Sequence, residues 1–275
     1  MTEFVADNLY LIVGMLAAGF AAGFAGGLFG IGGGIITVPA LYAVFQAIGV
    51  NEDASLKTAI GTSLGVIIVT SLRALAAHHK AGHVDMAVLK AWAPWIGIGA
   101  GAGGLAARWA PVELLTIVFV GGALYVAWRR LAPGGGAKRN RDLMQRRLMR
   151  PLGAATGFFS SLMGLGGGAV GVMVMTASGR AIHQAVATAA GFGVAVALPG
   201  VAAFMWSGRA AAGLPPASVG YFNAVAFVAM ALTAGIAAPL GARLAHRTDG
   251  LLLSRLFGAY VLIAAIGLAW DVFGK

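Results

Sequence analysis

The chain has 275 residues, of which 59% are hydrophobic and only 10% are charged. Soluble domains carry about a quarter charged residues, whereas residues 8–51 and 210–242 here contain no Asp, Glu, Lys or Arg. Uncharged runs of this length predict membrane-spanning segments and exclude a soluble domain. The net charge of +10 comes from basic residues in loops between apolar segments. The positive-inside rule explains that charge, so nucleic-acid binding is not expected.

The first apolar segment contains a glycine-rich run, in which residues 23–34 read GFAGGLFGIGGG. Glycine in a helix interior costs about 1 kcal/mol relative to alanine. Glycine at this density therefore predicts an interruption of the helix. In membrane proteins, interrupted helices line a cavity or a substrate site.

Three apolar spans follow the glycine-rich run, at about 56–77, 89–108 and 112–131. A polar, turn-rich linker comes next, at residues 132–150. Its many basic side chains predict that the linker is cytoplasmic. The basic residues in and beside the linker are Arg129, Arg130, Lys138, Arg139, Arg141, Arg146, Arg147 and Arg150.

A second glycine-rich run repeats the pattern of the first. Residues 157–168 read GFFSSLMGLGGG, at an offset of 134 residues. The similarity continues further along the chain, where AIGTSLG at 59–65 matches AVATAAG at 185–191. Duplicated bundles that hold a substrate between the copies are common among membrane transporters.

The duplication predicts two membrane repeats joined by the basic linker. The first repeat covers residues 9–131 and the second covers residues 151–272. Apolar spans of the second repeat are predicted at about 182–206, 217–242 and 250–271.

The orientation of the repeats depends on how each glycine-rich segment meets the membrane. Only 29 residues separate Arg150 from Arg180, roughly 44 Å of helix. That is more than one crossing of a core about 30 Å thick and too little for two, so we predict a hairpin of two short helices. A hairpin also puts Arg180, Arg243 and Arg247 on the cytoplasmic side, as the positive-inside rule favours.

The predicted fold class is an all-α integral membrane protein. It consists of two homologous bundles with inverted topology, each a glycine-rich broken or hairpin segment plus three transmembrane helices. In the alternative arrangement each glycine-rich segment crosses the membrane once and the repeats are parallel.

The glycine runs are also the first candidates for a binding site. Helices begin anew directly after three glycines in each repeat, and free amides at a helix start attract anions. Glycine removes the side chains that would keep a ligand from these amides. The alternative role is close packing of helices through small residues.

Hydroxyl groups in equivalent spans of both repeats complete the candidate site. Thr62, Ser63 and Thr188 are able to donate to an anion, to coordinate a cation, or to bond the carbonyl of the preceding helical turn. The predicted substrate-binding residues are Gly30, Gly32, Gly33, Gly34, Thr62, Ser63, Gly164, Gly166, Gly167, Gly168 and Thr188.

The remaining polar residues predict no catalysis and no cofactor or metal site. The chain has no cysteine, which excludes thiolate ligands and thiol catalysis, and no nucleophile, base and acid come together within a span, so an enzyme is not expected. His78, His79 and His83 are expected to lie in a solvated basic loop. Asn223 is expected to form a hydrogen bond between helices.

These motifs resemble the sulfite exporter TauE/SafE family of bacterial inner-membrane proteins. The resemblance rests on residues 23–41, on AIGTS at 59–63, and on the repetition of both in the second half. It implies a permease for small sulfur-containing anions such as sulfite, sulfoacetate and related organosulfonates. Ala187 and Ala189 stand where the first repeat has Gly61 and Ser63, so a strictly symmetric site is not expected.

The sequence therefore predicts a secondary transporter that moves small anions, sulfite or organosulfonates, by alternating access around paired glycine-rich helix starts. The protein is expected to lie in the bacterial inner membrane, and a bundle of this size is compatible with a homodimer. Two alternatives stay open: an anion channel, and a membrane scaffold or assembly protein that transports nothing.

Overall fold

The computed structural model describes residues 9–131 and 146–249, together with separate residues between 251 and 270. Within these residues the chain folds into helices and turns, without a named β-strand. The helices of the first half are α1 (Leu9–Phe29), α2 (Gly34–Ala47), α3 (Glu52–Lys80), α4 (Met86–Ala106) and α5 (Val112–Leu131), with a 3₁₀ turn at Ala107–Trp109. The helices of the second half are α6 (Arg146–Leu162), α7 (Gly168–Ala177), α8 (Ile182–Ser207) and α9 (Ala224–Ala245).

The helices confirm the predicted all-α membrane class. Among the described residues, four helices are long and apolar enough to cross a membrane: α1, α3, α8 and α9. Of these, α3 and α8 bury the largest share of their residues, and they pack against each other. The core of the bundle therefore lies along α3 and α8.

Both glycine-rich runs interrupt the helices where the composition predicted. In the first half α1 ends at Phe29 and α2 begins at Gly34, and in the second half α6 ends at Leu162 and α7 begins at Gly168. The N-cap residues are Gly33 and Gly167, whose left-handed φ angles of 86° and 68° favour glycine over any other residue. The prediction of two short helices before Arg180 is confirmed.

One predicted boundary is wrong. The span expected at 217–242 begins only at Ala224, where α9 starts. Pro215 and Pro216 lack backbone donors, and Asn223 caps the helix by accepting the Ala226 amide through its side chain, at 2.9 Å. Residues 208–223 therefore form a turn-rich connection rather than the first turns of a span.

Parts of two other predictions lie outside the described residues. Residues 132–145 of the expected linker are outside them, whereas residues 146–150 belong to α6. The predicted span at 250–271 is described only in part, and its described residues from 251 to 270 are helical.

The first helix of each glycine-rich segment packs against a helix from the opposite half. Helix α1 packs along α9, and α6 packs along α4. Glycines allow the close approach: a Cβ atom at Gly23 would collide with the backbone of Ala234, and one at Gly157 would collide with the carbonyl of Ile96. Small residues at helix contacts are the usual route to tight packing in membranes.

Candidate functional site

The two glycine turns touch each other in the interior. We call residues 30–34 tip 1 and residues 164–168 tip 2. A Cβ atom added at Gly34 would collide with the carbonyl oxygen of Gly164, and one at Gly168 would collide with the carbonyl oxygen of Gly30. The last glycine of each tip therefore contacts the first glycine of the other tip. The structure brings together the glycines that the sequence predicted.

Several backbone amides at the tips have no acceptor. In tip 1 the Gly33 carbonyl accepts the amides of Ile36 and Thr37, at 3.1 and 3.2 Å. Among the described residues, no acceptor is found for the amides of Gly34, Ile35, Gly168 and Ala169. The first amides of α2 and α7 are thus available at the positive ends of the two helix dipoles.

Helix α3 is joined to both tips by hydroxyl groups. Ser63 Oγ donates to the Gly164 carbonyl at 3.0 Å, and Thr70 Oγ1 donates to the Gly32 carbonyl at 2.8 Å. The two hydroxyls lie seven residues apart, so they share one face of the helix. These bonds engage one carbonyl oxygen of each tip and leave the amides open.

Ser71 is a buried hydroxyl without a hydrogen-bond partner. Its side chain is 1% exposed, and its Oγ bonds to no other described group. A Cβ atom at Gly193 would collide with this oxygen, and one at Gly32 would lie 3.1 Å from it. Ser71 therefore points between tip 1 and α8. The sequence reasoning missed Thr70 and Ser71, although the repeated Thr-Ser pair at 62–63 and 70–71 was a visible signal.

Thr62 and Thr188 occupy equivalent positions and make equivalent bonds. Thr62 Oγ1 accepts the backbone amide of Asn223 at 2.9 Å, and Thr188 Oγ1 accepts that of Asp85 at 2.9 Å. Asn223 is the N-cap of α9 and Asp85 is the N-cap of α4. Each threonine thus fastens the start of a helix from the opposite half.

The expectation for Asn223 is corrected by the same geometry. It was expected to make a hydrogen bond between helices, but its side chain caps α9 and donates to Pro216 O and Ser218 Oγ, at 2.8 and 3.0 Å. An amide at the first turn of a helix satisfies local donors and acceptors.

Charged side chains lie at one end of α3 rather than at the tips. Lys57 is 5% exposed and pairs with Asp53 at 2.8 Å, with its Nζ 5.9 Å from the centre of the Tyr221 ring. Burial, followed by the Asp53 carboxylate, raises the pKa of the Tyr221 hydroxyl. The Lys57 ammonium group therefore lies close to the connection at 208–223 that precedes α9.

The expectation of a solvated loop is wrong for His78. The His78 side chain is fully buried and contacts the Gly27 carbonyl through Nε2 and His246 through Nδ1, at 3.1 Å each. His79 and His83 are exposed, as expected. In the described part of the chain, no three His, Cys, Asp or Glu side chains are grouped to hold a metal.

A cavity of about 380 Å³ lies beside both tips. Ile35 and Ala169, the second residues of α2 and α7, border it, and side chains of α5 and α6 form the opposite wall. Almost all of the lining side chains are apolar. The cavity therefore offers an apolar volume next to the free amides.

Comparison with known proteins identifies one family and two related sequences. The sequence profile of the family described as Sulfite exporter TauE/SafE matches residues 15–268. A probable membrane transporter protein of Haemophilus influenzae is 29% identical over 265 residues, which cover 94% of this chain and 97% of that protein. Another, of Methanocaldococcus jannaschii, is 26% identical over 199 residues, covering 67% and 69%.

No solved structure gives a significant match. The names of both relatives and the long apolar helices support a multi-pass membrane transporter. Since the family profile covers nearly the whole length, the chain belongs to the sulfite exporter TauE/SafE family.

Proposed function

We propose that this protein is a secondary transporter of small anions, sulfite or organosulfonates such as sulfoacetate, in the bacterial inner membrane. The observation that carries the proposal is the meeting of two glycine tips whose first helical amides have no acceptor. The family and the relatives support transport, and the unbonded amides of the tips support a negatively charged substrate.

Hydrogen-bond donors are left open at the tips. The amides of Gly34, Ile35, Gly168 and Ala169 are unbonded, and Ser71 adds a buried hydroxyl. A cation binds best where carboxylates supply oxygen ligands, and neither tip contains a carboxylate. An anion is therefore the better match, because donors and two helix dipoles stabilise negative charge.

The adjacent apolar cavity favours an anion that carries a short hydrocarbon group. Ile35 and Ala169 border this cavity and their amides are among the free donors. A sulfonate group at the amides would leave the carbon atoms of an organosulfonate on the apolar side, where burial of each CH₂ contributes about 0.8 kcal/mol.

We further propose that residues 9–131 and 151–272 are inverted repeats that move against each other. Reciprocal contacts support two related repeats: α1 packs on α9 as α6 packs on α4, and α3 packs on α9 as α8 packs on α4. Transporters built from inverted repeats bind their substrate between broken helices near the bilayer midplane and alternate access around it.

The inverted arrangement predicts which loops share a side. Arg180 pairs with Asp85 at 2.9 Å, so the loops at 81–85 and 178–181 meet at one end of the bundle. We expect Ala81→Cys and Ala181→Cys to react with an impermeant thiol reagent only from the cytoplasm, and Ala210→Cys only from the outside. The chain has no natural cysteine, and buried Ala59→Cys is the unreactive control. Opposite sides for positions 81 and 181 would contradict inverted repeats.

The transport proposal is tested by counterflow in proteoliposomes loaded with sulfite, sulfoacetate, sulfate or a small carboxylate. We expect counterflow of sulfite or sulfoacetate, and we expect Ser71→Ala to raise the half-saturating concentration about tenfold or more. The reason is that a hydrogen bond to a charged group contributes about 1.5–3 kcal/mol.

Thr58→Val is the matched control for Ser71→Ala. Thr58 is also a buried hydroxyl of α3 without a partner, but it lies about 20 Å from Ser71 along the helix axis. If the two variants changed the half-saturating concentration equally, Ser71 would not be part of the substrate site. Flux without counterflow acceleration would indicate a channel, and no flux of any of these anions would favour the scaffold.

A further inference from the structure

Two histidines, one buried and one half-buried, form a pair at the end of the bundle where α3 and α9 finish. His78, near the end of α3, is fully buried, and its Nδ1 lies 3.1 Å from Nε2 of His246, which follows α9. The other nitrogen of His78 lies 3.1 Å from the Gly27 carbonyl of α1. One imidazole thus connects three helices.

The Gly27 carbonyl determines which ring nitrogens carry a proton when both histidines are neutral. A carbonyl only accepts, so the proton of neutral His78 is on Nε2 and its Nδ1 is an acceptor. His246 must then donate through Nε2, which leaves its Nδ1 unprotonated. That atom is buried and has no partner among the described residues. His246 Nδ1 is therefore the one nitrogen of the pair that is free to accept a proton.

The charged groups around the pair are all basic. The exposed His83 ring lies edge-on to His246, with 4.4 Å between ring centres, and Arg243 and Arg247 line the same groove as His246. The last turns of helix α1, residues 21–29, contain no titratable side chain, and His183 near the start of α8 also acts electrostatically on His246. Burial first, then His83 and His183, lowers the pKa of His246. Burial and these neighbours therefore favour the neutral form of His246.

We propose that the His78–His246 pair binds one proton and couples its movement to transport, an inference that rests on the proposed transport function. Water in the groove of about 430 Å³ beside His246 supplies the proton. It binds His246 Nδ1, and the Nε2 proton of His246 stays in the hydrogen bond to His78 Nδ1. His246 is then an imidazolium, whereas the fully buried His78 stays neutral and donates through Nε2 to the Gly27 carbonyl.

The position of the pair links this proton to the contact between the two repeats. His78 lies on α3 of the first repeat, and His246 follows α9 of the second. Through His78 the pair also bonds Gly27, three residues before tip 1. A charged donor forms a hydrogen bond roughly twice as strong as a neutral one. Protonated His246 therefore holds the end of α9 more firmly against α3, and the two repeats separate more easily when the proton has left.

The test measures proton and anion movement in the same proteoliposomes, using sulfoacetate and an internal pH dye. We expect wild-type protein to move protons when sulfoacetate is added. His78→Gln and His246→Gln should lose the proton movement and keep sulfoacetate counterflow, because exchange needs no net proton transfer. His79→Gln, an exposed neighbour on the same helix, should match wild type.

The outcomes separate the two proposals. Absence of counterflow in wild type contradicts the proposed function, whereas counterflow without proton movement contradicts the coupling. Nitrogen NMR of histidine-labelled protein in nanodiscs, between about pH 5 and about pH 8, decides the proton site without any substrate. We expect the nitrogen signals of His78 and His246 to change together as the pair takes up one proton. Independent titration, each resembling His79, would overturn the inference.

Discussion

Gly34→Ala and Gly168→Ala are each expected to abolish transport and to lower the stability of the protein in detergent. The added methyl group would meet the Gly164 carbonyl in the first case and the Gly30 carbonyl in the second. Both obstacles are backbone atoms, so the tips must move apart. Overpacking of this kind costs about 1–3 kcal/mol, and more where the backbone resists. Counterflow and the detergent melting temperature are the measurements.

Two other glycines provide matched controls. A Cβ atom at Gly14 or at Gly121 would meet no atom within 4 Å, and both residues lie inside helices. Gly14→Ala and Gly121→Ala should keep transport and raise stability slightly, because alanine is favoured over glycine in a helix by up to about 1 kcal/mol. Normal counterflow in Gly34→Ala and Gly168→Ala would show that the contact between the tips is dispensable.

Thr62→Val and Thr188→Val are expected to destabilise the protein by similar amounts. Each substitution removes the acceptor of a backbone amide, that of Asn223 in the first case and that of Asp85 in the second. A buried donor left without a partner costs about 1–3 kcal/mol. The start of α9 or of α4 should therefore loosen, which unfolding in mixed detergent micelles would report as a lower free energy of unfolding.

Serine at the same positions is the control, because it keeps the hydroxyl oxygen. Thr62→Ser and Thr188→Ser should retain most of the stability that valine removes. The two bonds lie at different helix starts and share no partner, so the double valine variant should lose about the sum of the single effects. If valine and serine variants had equal stability, the two amides would not depend on these hydroxyls.

The glycine-rich runs were predictable because their effect is local. Three consecutive glycines at 32–34 and 166–168 weaken a helix by about 1 kcal/mol each, and the absence of a Cβ atom permits the left-handed N-caps at Gly33 and Gly167. The length between Arg150 and Arg180 likewise limits the second segment to two short helices. Residues close in sequence determine each of these features.

The roles of the polar residues were less predictable because their partners are distant in sequence. Thr62 bonds a residue 161 positions away and Thr188 one 103 positions away. Asn223 was expected to lie within the membrane because the span was predicted to begin at 217, although an Asn before an apolar run is also a helix-start signal. His78 sits in a basic stretch that suggested solvent, yet it meets Gly27 and His246 in the interior.

By itself, the sequence determined the membrane class, the two glycine interruptions and the duplicated pattern, since hydrophobicity, helix propensity and repetition are properties of short segments. Only the tertiary structure decided that tip 1 and tip 2 touch, that Ser63 and Thr70 bond one carbonyl of each, and that Ser71 is left with an unused hydroxyl. Those facts depend on how α3 and α8 pack against the tips, and that packing brings together residues that are distant in sequence.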